Sequence, residues 1–133
     1  MGVIFDTSEI IVLERKGLEI ERIISGRENE PFGISVISVA ELLCGVERAD
    51  TFERKIKRQA FVEKVIEFFS IFPVDVTVAR IYARLWASLS SKGIVVGSHD
   101  LIIAATAISL GYTIITANMR DFRKIEKLRV ERL

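Results

Sequence analysis

Thiols and imidazoles are nearly missing from this chain: Cys44 and His99 are the only ones in 133 residues. One cysteine excludes an internal disulfide and fits a reducing compartment. The shortage also removes the nitrogen and sulfur donors on which zinc sites rely. Cys44 itself is expected in the core, the usual place for a small thiol. Proline occurs twice, and no repeat, linker or low-complexity tract divides the chain, so one domain over residues 1–133 is expected. No apolar run is long enough to span a bilayer. No basic stretch with an apolar core opens the chain as in a signal peptide. The expectation is a cytoplasmic protein with no membrane association. A net charge of +1 excludes a global basic field, so any nucleic acid must be held by a local patch or through a metal.

What is present is apolar. Half of the residues are hydrophobic and the mean hydropathy is +0.34, which predicts either an unusually buried set of helices or an apolar surface covered by a partner. Gly2 to Phe5 reads as a buried strand, followed by a helix from Thr7 to Gly17 and a short one over Leu18 to Ile24. Gly33 to Val36 reads as strand two. Ser38 is expected to open the next helix, and a long helix covers Asp50 to Phe69. Ile71 to Val76 reads as strand three. Thr77 to Ser90 is amphipathic, with Val78, Ile81, Tyr82, Leu85 and Leu89 at helical spacing. Asp100 to Leu110 is a helix apolar almost all round and therefore central, capped by Gly111. Tyr112 to Thr116, Asp121 to Ile125 and Leu128 to Leu133 read as strand, short helix and strand. The alternation gives an α/β fold with a mainly parallel sheet.

Three of the five aspartates stand at the edges of these apolar runs. Asp6 ends the first strand, where ligands bind in open parallel sheets. It is also placed to cap the next helix, although Thr7 and Ser8 can cap equally well. Ser38-x-x-Glu41 has the form of a capping box, which makes Glu41 structural on local sequence alone. It still points to the same sheet edge. Asp100 either complements a helix dipole or, with Ser98 as the cap, is free to face a ligand. Asn118 and Asp121 follow the strand ending at Thr116, and Asp121 is either a cap or part of a site. Asp50 and Asp75 look like ordinary turn or cap residues. Several acids gathered on one side of a sheet repel each other unless a pKa rises or a cation binds. Oxygen-only ligation suits Mg²⁺ or Mn²⁺.

At Phe5-Asp6-Thr7-Ser8, Ser38 to Val46, Asp100 to Ala107 and Thr116 to Phe122 the sequence resembles the PIN-domain family, within it the VapC-type toxins of toxin–antitoxin pairs. The resemblance covers nearly the whole chain. It implies a three-layer α/β/α fold with a five-stranded parallel sheet and a Mg²⁺- or Mn²⁺-dependent endoribonuclease. Asp6, Glu41 and Asp100 are implied as the core acids, with Asp121 and Asn118 competing for the fourth position. Metal is implied at Asp6, Asp100 and Asp121, with Glu41 acting directly or through water. Thr7 and Thr116 are implied as steadying hydroxyls. His99 stands where an uncharged polar residue is commoner. A homodimer and an antitoxin partner of VapB type are implied in the same way. RNA would need nearby cations, and Arg54, Lys55, Lys57 and Arg58 are the candidates, although the run reads equally well as a solvated helix face. Two other readings stand beside this one. The first is a catalytically inactive PIN-like module acting through protein or RNA partners. The second is a phospho-acceptor receiver domain, disfavoured because Thr7 follows Asp6 where a second acid is wanted and no lysine closely follows Thr116.

Overall fold

The structure, a computed structural model, describes residues 1–133. Five short parallel strands form one sheet: β1 (Val3–Phe5), β2 (Phe32–Ser35), β3 (Ser70–Phe72), β4 (Thr113–Ile115) and β5 (Val130–Glu131). Their order is β3-β2-β1-β4-β5. The connecting helices are α1 (Thr7–Arg15), α2 (Val36–Glu47), α3 (Phe52–Phe68), α4 (Val76–Ser91), α5 (Ser98–Leu110) and α6 (Met119–Phe122), with a 3-10 turn at Ile20–Ile24. β1, in the middle of the sheet, is buried on both faces and apolar throughout, and its residues and those of β4 divide between the two faces by period two. Val3, Phe5 and Ile115 pack with residues of α1, α2 and α3. Ile4 and Ile114 face the other way, onto α4, α5 and α6. The result is the expected three-layer α/β/α sandwich.

Strand order reverses between β1 and β4, and that gap is where the site lies. Phe5 pairs with Ile115 across it. The Asp6 amide donates to the Ile115 carbonyl at 2.9 Å, so the ladder carries Asp6 to a place beside Thr116. α5 is the central helix, with Leu101, Ile103, Ala104, Ala105 and Ala107 buried. It stops at Gly111, whose φ of +69° forms the left-handed cap that the sequence predicts.

Several boundaries depart from the sequence reading. β3 ends at Phe72 rather than Val76, because Pro73 cannot donate to the ladder. β5 is only two residues long. α2 begins at Val36, two residues before Ser38, and Ser35 is its cap, accepting from the Ile37 amide at 3.1 Å. Cys44 is exposed, not in the core. Leu42 and Val46 set the buried face of α2, and Cys44, two residues from each, lies about 200° around the helix. Of the two alternatives that the hydropathy left open, some apolar surface is indeed exposed: Phe52 is 78% exposed and Trp86 58%.

Candidate active site

Asp6 is the best-anchored acid. It is only 3% exposed and holds the N-cap position of α1, yet its carboxylate makes no capping bond. Its Oδ2 instead accepts from Ser8 Oγ at 2.7 Å and from Thr116 Oγ1 at 2.9 Å. Those hydroxyls are fixed in turn, because the Ala117 amide donates to Ser8 Oγ and the Asn118 amide to Thr116 Oγ1. Oδ1 receives no protein donor. A carboxylate with one oxygen latched and the other free is arranged for a ligand.

Glu41 lies one turn further along α2. The capping-box reading fails, since the cap is Ser35. Thr7 Oγ1 donates to Glu41 Oε1 at 2.6 Å and lies 2.8 Å from the hydroxyl of Ser38, which is fully buried. Thr7 thus ties α1 to α2 and holds the Glu41 carboxylate at the sheet edge. His99 Nδ1 stands 3.5 Å from Glu41 Oε2.

Asp100 occupies the first turn of α5 and does not cap it, as Gly97 holds that position. Nor does Ser98 serve as the cap. Burial pushes the Asp100 carboxyl up to about 6, with further pressure from Asp6, Glu41 and Asp121, partly offset by His99. Asp100 therefore feels the other three acids across the gap between β1 and β4. The rim of the site behaves differently. Asn118 Nδ2 donates to Asp121 Oδ2 at 3.0 Å and Lys124 Nζ to Oδ1 at 3.2 Å. These bonds hold the Asp121 carboxyl below its ordinary range. Asp121 caps nothing, and Asn118, at the N-cap position of α6, makes no side-chain capping bond. The control aspartates are ordinary: Asp75 caps α4 through the Val78 amide at 2.9 Å, and Asp50 pairs with Arg54 in solvent.

No three metal-ligating side chains stand close enough here to grip one ion together. The donor set nevertheless fits a hard cation. It is all oxygen, mutually repelling, and open at Asp6 and Asp100. Mg²⁺ keeps several waters, so a few carboxylates acting partly through water are enough.

The basic run of α3 is not brought to the site as a unit. Arg54 is bound to Asp50 and Lys55 to Glu47, while Lys57 is exposed without a partner. Only Arg58, donating to the Gly45 carbonyl at 2.9 Å, reaches over α2 toward Glu41. The sequence reading missed Ser8 and Ser38, whose position beside Asp6 and Glu41 was the available signal. It also missed Glu9, which is 6% exposed and whose carboxyl is raised by burial and by Asp6.

The PIN domain model matches residues 3–128. The chain is a PIN domain. Its curated relatives include a ribonuclease VapC1 of Rickettsia felis, 41% identical over 98% of this chain and 95% of that one. Another is a tRNA(fMet)-specific endonuclease VapC of Salmonella typhimurium, 35% identical over 74% of this chain and 72% of that one. Among solved structures, the DNA-bound VapBC of Salmonella typhimurium matches with a TM-score of 0.89 and 28% identity, over 99% of this PIN domain and 98% of that chain. VapBC2 of Rickettsia felis bound to a promoter fragment matches at 0.84 with 25% identity, over 100% and 99%. No helix of this PIN domain is long and apolar enough to cross a membrane.

Proposed function

We propose that this PIN domain is a Mg²⁺- or Mn²⁺-dependent endoribonuclease and the toxin of a VapBC-type pair. The observation that carries the reading is the gathering of Asp6, Glu41 and Asp100 at the β1/β4 gap, where hydroxyls hold Asp6 and Glu41 and Asp100 stands under the repulsion of both. Repulsion of that kind is costly unless a cation or a proton relieves it. Asp6 and Asp100 would hold the metal with their free oxygens, Glu41 directly or through water. Asp121 would complete the set only by giving up part of its bond to Lys124 or Asn118. When bound, the metal supplies Lewis-acid stabilisation of phosphate charge and a more acidic water.

The chain's own residues do the positioning. Thr116 and Ser8 fix which oxygen of Asp6 faces the ligand. Thr7 keeps Glu41 from swinging into solvent. His99, beside Glu41, offers a proton donor at the edge of the cluster when protonated. The ribonuclease names of the relatives and the VapBC complexes among the structural neighbours support an RNA substrate and an antitoxin partner of VapB type. A homodimer would cover part of the open apolar surface. A reducing cytoplasm remains the compartment proposed from the lone thiol.

The test is cleavage of single-stranded and transfer RNA by the purified chain, with Mg²⁺, Mn²⁺ or chelator. The expected result is cleavage that needs metal and is lost in Asp6→Asn and Asp100→Asn. Equal cleavage by these variants and the wild type would sink the reading. Failure to bind Mg²⁺ by calorimetry would favour the inactive-module alternative.

A further inference from the structure

The candidates of the α3 run lose their place as a phosphate-binding strip, because two of the four are neutralised by neighbours. A different basic site adjoins the acidic cluster. A pocket of ≈ 230 Å³ lies beside α2 and is lined by Arg15, Arg48 and Arg58, with Glu14, Glu41 and a floor that includes Leu42. Glu41 belongs to both places, so the pocket and the acidic edge meet at that residue. Arg48 follows Glu41 by seven residues, which puts about 10 Å of helix between the two ends of the pocket.

Three elements deliver the three guanidinium groups: the last turn of α1, the C-cap of α2 and the second turn of α3. Arg58 is fixed by the Gly45 carbonyl. Arg15 and Arg48 pair with no carboxylate. A last-turn cation suits the helix dipole, which accounts for Arg15 and Arg48 singly. It does not account for their facing one concavity together with Arg58. Cations gathered in this way repel, and an anion entering between them relieves the repulsion. The guanidinium fork matches a phosphate in two-bond geometry. Glu14 and Glu41 in the same walls weaken the pocket for a small free anion. They matter less for a phosphate tethered to one already held next door, since its effective concentration is high.

We propose that this pocket binds the RNA backbone phosphate adjacent to the one held at the acidic edge, with Arg15, Arg48 and Arg58 as its contacts. The inference rests on the ribonuclease reading but is testable apart from it. Binding of a fluorescent single-stranded RNA is measured by anisotropy at several salt concentrations, in an Asp6→Asn background that cannot cleave. Adding Arg15→Gln and Arg48→Gln together is expected to weaken binding about tenfold and to reduce the slope of log affinity against log salt by about 1 to 2. In the cleaving protein the same pair raises KM with little change in kcat. Arg54→Gln with Lys55→Gln is the matched control and shifts affinity less than twofold. Unchanged affinity and slope in a pair variant with wild-type circular dichroism overturns the proposal. So does unchanged RNA binding with loss of antitoxin co-purification, which would make the pocket a protein-docking surface. Arginine-dependent binding without any cleavage by the intact chain upholds the pocket and overturns the ribonuclease reading instead.

Discussion

Asp6 and Asp121 follow neighbouring parallel strands at the same sheet edge, yet their surroundings are opposite. Asp6 is nearly inaccessible, latched through one oxygen by two hydroxyls and free at the other. The Asp121 side chain is 34% exposed, and both its oxygens are taken by Asn118 and Lys124. Asp100 shares with Asp6 an open carboxylate oxygen but not its latch: it is partly buried, has no hydrogen-bond partner, and is pressed by Asp6, Glu41 and Asp121. At Asp100 the inner wall therefore keeps a charge that a ligand can relieve, while at the rim Asp121 is already satisfied by its partners. Position at a strand end does not make an acid functional. What matters is whether the local partners leave its charge unspent.

The sharpest way to break this contrast is at the inner wall. Asp6→Asn should lower metal-dependent RNA cleavage by at least about a hundredfold, more than the 10–100-fold typical of groups that only support ligands. Next comes the support itself. Thr116→Val removes a donor from a buried carboxylate and should cost about 1–3 kcal/mol in chemical denaturation, with cleavage down about 10–100-fold. A Thr116→Ser variant that keeps the hydroxyl should recover most of both.

The third prediction separates stability from activity. Because the folded Asp100 carboxyl titrates near 6 instead of 3.8, the folded chain holds more protons than the unfolded one between those values. Stability should then fall as pH rises from about 4 to about 6, with the deficit complete above that. Without added metal, Asp100→Asn should flatten this slope and stabilise the fold at pH 7 by about 1–2 kcal/mol, discounted for the carboxyl's partial exposure. The same change should abolish cleavage. Melting curves from pH 4 to 7.5 check it, and a variant less stable than wild type at pH 7 would remove the idea of stored repulsion. The smallest effect is expected at the rim: Asp121→Asn should shift stability by no more than about 0.5 kcal/mol and reduce cleavage less than Asp6→Asn. A loss equal to that of Asp6→Asn would erase the distinction between wall and rim.

Much of this arrangement was legible in the sequence. Apolar runs of strand length alternating with amphipathic helices were enough for an α/β fold with a parallel sheet, and Asp6 and Asp100 were legible from their places at a strand end and a helix start, whereas the three layers and the hydroxyls of Thr7 and Thr116 came only with the family resemblance. Glu41 was harder, since Ser38-x-x-Glu41 satisfies a local capping pattern that the fold does not use. Once Ser35 closed the ladder and started α2 two residues early, Ser38 became an interior residue and Glu41 turned toward Thr7. The α3 lysines and arginines misled for the same kind of reason. Charge in a run is visible locally, but Asp50 and Glu47, which neutralise half of it, approach from a neighbouring turn and from another helix.

The sequence by itself determined the period of each element, the side of the sheet on which each acid would fall, and the oxygen-only character of the site. Those properties are local, following from side-chain spacing along one segment and from the near-absence of sulfur and imidazole. Only the tertiary structure decided which carboxylates remain unpaired, that Ser8 and Thr116 share one oxygen of Asp6, and that three arginines from three helices face one pocket. Such facts depend on contacts between residues up to 110 positions apart. Whether a charge is spent or free is set by what the fold brings against it.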